Sequence, residues 1–581
     1  MTAPDYLTLL LYIIGIFAIS TCAARRTKSQ KEMFSAGRSS PWWASGLSGF
    51  MTMFSAGTFV VWGGIAYELG FVAVAINTCY GIAALFVGYY VAGKWNQLGV
   101  STPAEFVQLR FGSTGLHFFT WTMLIKRILG VSVSLYALAI LLVALVPLDE
   151  GNFFRDPDTG LFSLGWAIVI FGAIVVLYTM QGGLWAVLMT DVLQFLVLTV
   201  VVFMVAILMF QGFDSAEFAE RVPESFFSPV TGNYGWFFLA GWVTIHFFMI
   251  GAEWAFVQRF LAVKSPNEAR KSSYLFGIMY LVTPLFWLLP PLLYRGQVEG
   301  VNKEQAYILA AQSVLPSGML GLMFAAMFSA TASMVSSQLN VFAGVLTNDF
   351  YRPFLRPDAS ERRLVNVGRF FTALLGGLLV TMAILVPRMG GAEKLIISIN
   401  SLLVVPLFAP TLWGLFSRKI GIREMIIVAL TSFSIGVVLR FGLATNPMIQ
   451  EGDFFWPLAQ YLAANTKNVE VVVGVLLPIL MLIGFEKTKR SNDPRAIAIA
   501  GRTSHESAQD PSEESRPRFD PFPARMVSIS LLVIGIWMAI LGFRENTGRI
   551  ILFSFACALV ITGLVIHMLI RKLLGRDSTT I

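Results

Sequence analysis

The chain has 581 residues, of which 56% are hydrophobic and only 13% charged, with mean hydropathy +0.70 and net charge +8. That balance excludes a soluble globular protein. The positive charge does not argue for a nucleic-acid partner, because Lys and Arg collect in the cytoplasmic loops of membrane proteins. Cys22, Cys79 and Cys557 give neither a disulfide framework nor metal-ligand spacing.

Apolar runs of about 17 to 25 residues, the length that crosses a bilayer core, recur from end to end. In chain order the predicted spans begin with Tyr6–Thr21, Trp42–Ala66, Gly70–Gly93, His117–Val146 and Ser163–Met180. They continue with Ala186–Phe210, Gly235–Phe256, Tyr274–Leu293, Ser317–Asn348 and Val365–Val386. The last are Lys394–Phe416, Arg423–Leu443, Val469–Phe485, Met526–Phe543 and Ile550–Ile570. The expectation is an all-α polytopic membrane protein of about fifteen helices, without the alternating segments of a membrane barrel. The first run has no positive region before it and no clear cleavage site, so it reads as a retained span.

Arg25–Lys31, Lys94–Arg110, Arg259–Lys271, Arg352–Arg363, Arg418–Arg423 and Lys487–Arg525 are basic and fall on one side if the spans alternate. The opposite loops, Asp149–Asp158 and Asp214–Glu224, are mostly acidic. The positive-inside rule predicts an inner-membrane protein with its N-terminus outside and its C-terminus in the cytoplasm. Glu486–Arg525 is polar and aperiodic and reads as a flexible cytoplasmic linker.

Two spans carry residues that weaken a membrane helix. Trp42–Ala66 holds Gly46, Gly49, Ser55, Gly57 and Thr58; Gly235–Phe256 holds Gly241, Thr244, His246 and Gly251. Unwound backbone at that depth survives where it lines a cavity or is buried by protein, and its carbonyls can bind a cation. Interrupted spans five apart are what two inverted five-helix repeats give, although Gly is common in membrane helices generally.

Intramembrane polar groups are the candidate functional residues. Asp191 either ligates a cation, neutralises a basic side chain or is solvated in a vestibule. Lys126 and Arg127 either snorkel to the cytoplasmic face, form an internal cation pair suited to an anionic substrate, or partner Asp191. His246 is either bonded to a carbonyl or donates to a substrate. Glu253 reads as structural, and Asn77 and Asn400 either face substrate or bond across helices. In Gly321–Asn340, Ser329, Ser333, Ser336 and Asn340 share one helical stripe with Ser337 at its edge. That stripe fits either a small-residue helix seam or a row of oxygens facing an ion path.

Leu177–Gln194 (LYTMQGGLWAVLMTDVLQ) resembles the signature of the sodium/solute symporter family. There a Tyr–Thr–x–x–Gly–Gly turn precedes Val and Thr–Asp–x–x–Gln. Pro41–Ala44 with the weakened helix after it resembles the family's first core helix. Gln258–Arg259 with Ala262, Lys264 and Ala269–Arg270 resembles its QR…A.K…AR loop, and Gly321–Tyr351 its eighth core helix. The likeness runs in order from about Tyr6 to Phe485.

The resemblance implies a five-plus-five inverted-repeat (LeuT-like) core with additional N- and C-terminal helices. The expected divisions are an N-terminal helix and loop (1–41), the transport core (42–420), two accessory helices (421–485), the linker (486–525) and two C-terminal helices (526–581). An upper Na⁺ site would use carbonyls of Met51 and Phe54 with Ala330 and Ser333. Met334 stands where the family has Ser or Thr, and a thioether is a poor ligand for a hard cation. Met53 stands where some relatives have Asp or Asn. A lower Na⁺ site would use Asp191, Ser333, Ser336 and Ser337. Thr58, Asn77, Tyr80, His246, Met249, Ile250 and Asn400 would line the substrate cavity.

The expected function is sodium-coupled symport of a small organic solute, an amino acid, carboxylate or similar, by alternating access. Na⁺ is the coupling ion, the lipid bilayer the surroundings, and no enzymatic constellation is present. The alternatives are a proton-coupled or uncoupled carrier of the same fold, and a membrane sensor or scaffold that retains it.

Overall fold

A computed structural model describes residues 1–24, 40–100, 102–179, 184–211, 213–444, 448–497, 499, 522–544 and 549–577. An apolar segment in lipid must pair its own backbone groups, and helices do so within one segment. Among the described residues fifteen apolar helical segments result, some of them broken. The first are α1 (Ala3–Ala24), α2 (Trp42–Thr52 and then residues 58–69), α3 (Val72–Gln97), α4 (Pro103–Val143) and α5 (Leu164–Thr179). Next come α6 (Leu184–Gln211), α7 (Trp236–Ala252 and Trp254–Leu261), α8 (Pro266–Gln297), α9 (Met319–Val345, continuing to Leu355) and α10 (Glu361–Leu385). The last are α11 (Gly391–Gly414), α12 (Ile422–Ala444), α13 (Thr466–Thr488), α14 (Phe522–Arg544) and α15 (Arg549–Asp577).

Every predicted span falls on one of these helices. Among the described residues ten are long and apolar enough to cross a membrane alone, and α7 crosses as a bent pair. Helices α1, α5 and α14 are shorter apolar stretches, and α2 is broken midway. Two helices start well before their apolar runs, because capping and not hydropathy sets their ends. Thr102 accepts from the Glu105 N–H ahead of α4, and Ser265 does the same for Glu268 ahead of α8, each with Pro in the first turn. Within α4, Gly112 takes φ +77°, which sets residues 103–111 off from the span proper.

Helices α2, α3, α7 and α8 pack on one another as one group; α4, α5, α9 and α10 pack as another. These are the first, second, sixth and seventh of ten core helices and the third, fourth, eighth and ninth, so each group takes the same pair from both repeats. The molecule thus has the five-plus-five inverted-repeat architecture, with α6 and α11 closing the two repeats. Residues 149–162, 213–235, 298–318 and 448–465 lie between spans on one side, here the upper face; the described parts of the basic loops join the spans at the other, lower face.

Asp5, 2% exposed, fastens α1 to this core. Its Oδ1 accepts from the N–H groups of Gly318 (2.7 Å) and Gly321 (3.0 Å), capping α9. A side chain at Gly321 would lie 2.0 Å from the Asp5 carbonyl oxygen, so only glycine permits the approach. Helices α14 and α15 form a hairpin that leans on α6 and α1, with Trp537 Nε1 donating to Thr8 Oγ1 (3.0 Å).

The beginning of the predicted linker differs from expectation. Lys489 pairs with Glu424 (2.8 Å), and Asp493 pairs with the buried Arg110 (3.3 Å) while its N–H donates to the Arg418 carbonyl (2.7 Å). Arg110 also donates to the carbonyls of Gly414, Ser417 and Ile420. The charges that make 486–497 polar tie it to the lower ends of α4, α11 and α12; residues 500–521 lie outside the described residues.

Candidate functional site

Both helices that the sequence marks as weak are broken. Helix α2 leaves helical form at Met53–Ser55 and resumes through a π-helical turn, Thr58–Trp62. Hydrogen bonds hold the break open. The Ala56 N–H donates to Thr331 Oγ1 on α9 (3.0 Å), and Thr331 donates to the Met327 carbonyl (2.9 Å). Ser55 Oγ lies 3.2 Å from Ser134 Oγ and accepts from the Gly57 N–H. Thr331 is the residue that sequence reasoning missed: it stands off the oxygen stripe, and nothing in the spacing shows that its partner is a freed N–H 275 residues away.

In α7, where Gly241, Thr244, His246 and Gly251 were the weakening residues, the break is at Glu253, two residues after Gly251. Glu253 is extended (φ −72°, ψ 131°), and the halves meet at 54°. Lys126 Nζ lies 3.3 Å from Glu253 Oε2, and the Arg127 guanidinium contacts Oε1. Lys126 and Arg127 therefore turn inward to Glu253 instead of snorkelling. Trp95 Nε1 takes up the freed Gly251 carbonyl (2.7 Å). Gly241 remains helical and lets Val471 of α13 pack against it.

Between the breaks lies a buried aromatic layer. The Tyr80 and His246 ring centroids are 3.8 Å apart, and Tyr80 stacks on Tyr280 at 5.2 Å. Trp62 closes the layer 6.1 Å from Tyr80 and 6.0 Å from Trp242. His246 Nδ1 lies 2.8 Å from the Trp242 carbonyl, and its Nε2 is buried without a partner. Asn77 Nδ2 donates to the Ala73 carbonyl (2.8 Å), leaving Oδ1 buried without a partner. Trp62, Trp242 and Tyr280 were not among the predicted site residues. The four-residue step from Trp242 to His246 was the available signal.

The other expected substrate residues divide. Met249 lies beside this layer with its sulfur 3.8 Å from Lys126 Nζ, and Ile250 is fully buried. Thr58 turns its hydroxyl toward the break, accepting from the Ser55 N–H (3.3 Å). Asn400 is half-buried and opens a π-helical turn, Asn400–Val404, in α11.

Of the expected ion ligands, Met51 and Phe54 stand at the break in α2. The Met51 carbonyl accepts from the Phe54 N–H (3.0 Å) and keeps a second lone pair. Ala330 and Ser333 are buried on α9, Ser336 donates to the Ser333 carbonyl (3.0 Å), and Met334 packs half-buried against the apolar core. Gln194 of α6 donates to Ser329 Oγ (2.8 Å). The side chains of Asp191, Ser337 and Asn340 lie outside the described residues.

At the upper face a cavity of about 420 Å³ lies over the ends of α11, α12 and α13, lined by Lys303, Glu393, Lys394, Arg440, Lys467 and Glu470 among others. Glu393 is its hub: Lys303 (2.9 Å), Lys467 (3.5 Å) and the Tyr234 hydroxyl (2.6 Å) all reach it, and Lys303 also pairs with Glu68 of α2 (2.6 Å). Burial pulls the Lys303 ammonium down, but Glu393 and Glu68 outweigh it and hold it above the ordinary lysine value.

Residues 33–424 match the sodium:solute symporter family. The chain belongs to that family. It is similar to the sodium/glucose cotransporter of Vibrio parahaemolyticus, 28% identical over 490 residues that cover 77% of this chain and 87% of that one. It is also similar to the sodium/sialic acid symporter of Aliivibrio fischeri, 25% identical over 473 residues, 76% of this chain and 88% of that one. A solved Na⁺-coupled sialic acid symporter, in a substrate-bound outward-open state, shares the fold at TM-score 0.64 and 20% identity, covering 82% of this chain and 98% of that one. The symporter is a multi-pass membrane protein that couples Na⁺ to a small solute by alternating access. Its work is transport, not a chemical transformation.

Proposed function

We propose that the solute binds at the aromatic layer of Tyr80, His246 and Trp242, next to the broken middle of α2, and that Na⁺ binds between α2, α6 and α9 just below it. The observation that carries the solute site is the pair of buried, unpartnered acceptors, His246 Nε2 and Asn77 Oδ1, at the meeting of α3 and α7. An unpaired buried polar atom costs about 1–3 kcal/mol, and a bound solute that donates to it recovers that cost. The solute is small and organic, an amino acid, carboxylate or similar.

For the ion, the lower set of Asp191, Ser333, Ser336 and Ser337 is the better reading. Met334 removes an oxygen from the upper set of Met51, Phe54, Ala330 and Ser333. Register supports the lower set. Gln194 of α6 meets Ser329 of α9, and Met209 meets Ser313 in the short helix that precedes α9, so α6 and α9 run antiparallel. Three residues down α6 from Gln194, position 191 is then level with about position 332 on α9. Na⁺ stabilises whichever state binds it more tightly, and that difference drives the cycle.

The chain sits in a bacterial-type inner membrane with its N-terminus outside, so that the basic lower face is cytoplasmic. Residues 42–420 form the transport core, and α12 to α15 are accessory. The test is a thermal-shift titration of purified protein with Na⁺. Asp191→Asn should abolish the Na⁺-dependent rise, and Met334→Ser should not weaken it. Full Na⁺ dependence in Asp191→Asn would overturn the lower-site assignment.

A further inference from the structure

The cluster at the α7 break carries more charge than it needs for structure. Two cations, Lys126 and Arg127, share one carboxylate, Glu253, the only one paired with either among the described residues. All three lie inside the protein: the Lys126 side chain is 7% exposed and that of Glu253 1%. Arg127 Nε is also buried without a partner. A buried cation without a counter-charge is strongly disfavoured, so the surplus calls for an anion.

The surplus borders the aromatic layer. Lys126 Nζ touches the sulfur of Met249, which is three residues from His246 and on the same face of α7. The opposite end of the layer has the opposite need. A carbonyl only accepts, so the 2.8 Å contact with Trp242 puts a hydrogen on His246 Nδ1. Nε2 of the neutral ring is then an acceptor. Asn77 spends its amide nitrogen on Ala73, so its free atom is an acceptor too. Among the described residues, two acceptors and the lone Trp242 Nε1 donor await partners at one end of the layer, and the other end lacks negative charge.

We infer that the solute is a small carboxylate that carries hydrogen-bond donors at its other end, a hydroxy or amino acid, with Lys126 as the residue that selects its acid group. The carboxylate lies at Lys126 and balances the cluster; the hydroxyl or amine lies at His246 Nε2 and Asn77 Oδ1. An uncharged polyol satisfies the acceptors but leaves the cation uncompensated. Lys126 is thus a specificity-determining residue of the solute site proposed above, and the inference rests on that site.

The experiment is Na⁺-driven uptake into proteoliposomes of L-lactate, L-alanine, D-gluconate and N-acetylneuraminate, beside the uncharged lactamide, D-glucose and myo-inositol. Wild type, Lys126→Met and Lys126→Arg are compared, each with its melting temperature. At least one acid should be carried, and the uncharged solutes at least about thirtyfold less well. Lys126→Met should raise the KM for that acid about thirtyfold or more, the usual scale for losing one partner of a buried charge pair. Lys126→Arg should restore part of the loss. Melting of solute-free Lys126→Met should stay level or rise, because Arg127 and Glu253 then balance, and the Na⁺-dependent shift should persist.

Uncharged solutes carried as well as the acids, or carried while no acid is, would overturn the inference. So would an unchanged KM in Lys126→Met, or a melting loss that lowers uptake of every solute alike, which marks a structural lysine. Absence of Na⁺-dependent uptake of every solute in the set would instead overturn the reading of the central layer on which it rests.

Discussion

At the scale of single residues, the informative positions are buried polar atoms whose partners lie far away in sequence. Thr331 accepts the Ala56 N–H that the break in α2 sets free. Thr331→Val keeps the shape and removes the acceptor, so it should cost about 1–3 kcal/mol, read as a lower melting temperature and a weaker Na⁺-dependent shift. Glu253 is the sharper case. Glu253→Gln strands two buried cations and should destabilise by about 3–5 kcal/mol, whereas loss of Lys126 alone should not. Thermal melts of the two variants side by side check the asymmetry; equal losses would mean that Glu253 holds Lys126 and Arg127 as a simple structural triad. Met334 belongs to this scale too: on the ion sites proposed above, one thioether in place of a hydroxyl would weaken the upper and leave the lower intact.

At the scale of elements, the two broken helices meet other groups in opposite ways. Helix α2 is opened by weak helix formers and pinned by hydroxyls, whereas α7 is opened by a carboxylate held between cations from α4. Above them the ion pairs around Glu393 join the upper ends of α2, α11 and α13 to the entry of α7. Single charge reversals, Lys303→Glu or Glu393→Lys, should loosen that junction, and the double swap should restore it in part. With Cys22 and Cys557 replaced by Ser, the labelling rate of the buried Cys79, one residue from Tyr80, by a membrane-impermeant maleimide reads the change. Faster labelling in the single variants and recovery in the double are expected. The sign of the pH effect follows from Lys303, whose ammonium is held above its ordinary value. Its contribution is fully present below the unfolded lysine value of about 10.4 and is lost as pH rises through the folded one. The Lys303 pairs with Glu393 and Glu68 should therefore persist through neutral pH and be lost on the alkaline side, as pH rises through the raised lysine value.

At the scale of the whole molecule, two groups of four helices surround the buried aromatic layer proposed as the solute site, with α6 and α11 at the junction. Alternating access then asks the groups to tilt while the layer stays between them. The α14–α15 hairpin touches neither broken helix closely; it leans on α6 and α1. Ending the chain after residue 499 should therefore preserve Na⁺-driven uptake per folded molecule while lowering the melting temperature. Loss of uptake in a well-folded truncation would show that the hairpin takes part in the cycle.

The number and order of helices, their all-α character and the weakness of α2 were written in the sequence, because a bilayer allows few ways to satisfy a backbone and apolar length is read directly. Helical spacing picked out the serine stripe of α9, depth in the span picked out His246, and the family motifs added Tyr80 as a candidate before any packing was seen. Sequence could not place the break in α7. The weakening residues ran from Gly241 through Thr244 and His246 to Gly251, and the break falls two residues past the last of them, at Glu253, because pairing with Lys126 and Arg127, over 120 positions earlier in the chain, fixes the extended residue. Nor could it choose between snorkelling and burial for Lys126, find Thr331, or show that 486–497 is anchored by Arg110. In each case the deciding partner lies on another helix, and buried charges and freed N–H groups take whichever partner tertiary packing brings within reach, a distance that spacing along the chain does not contain.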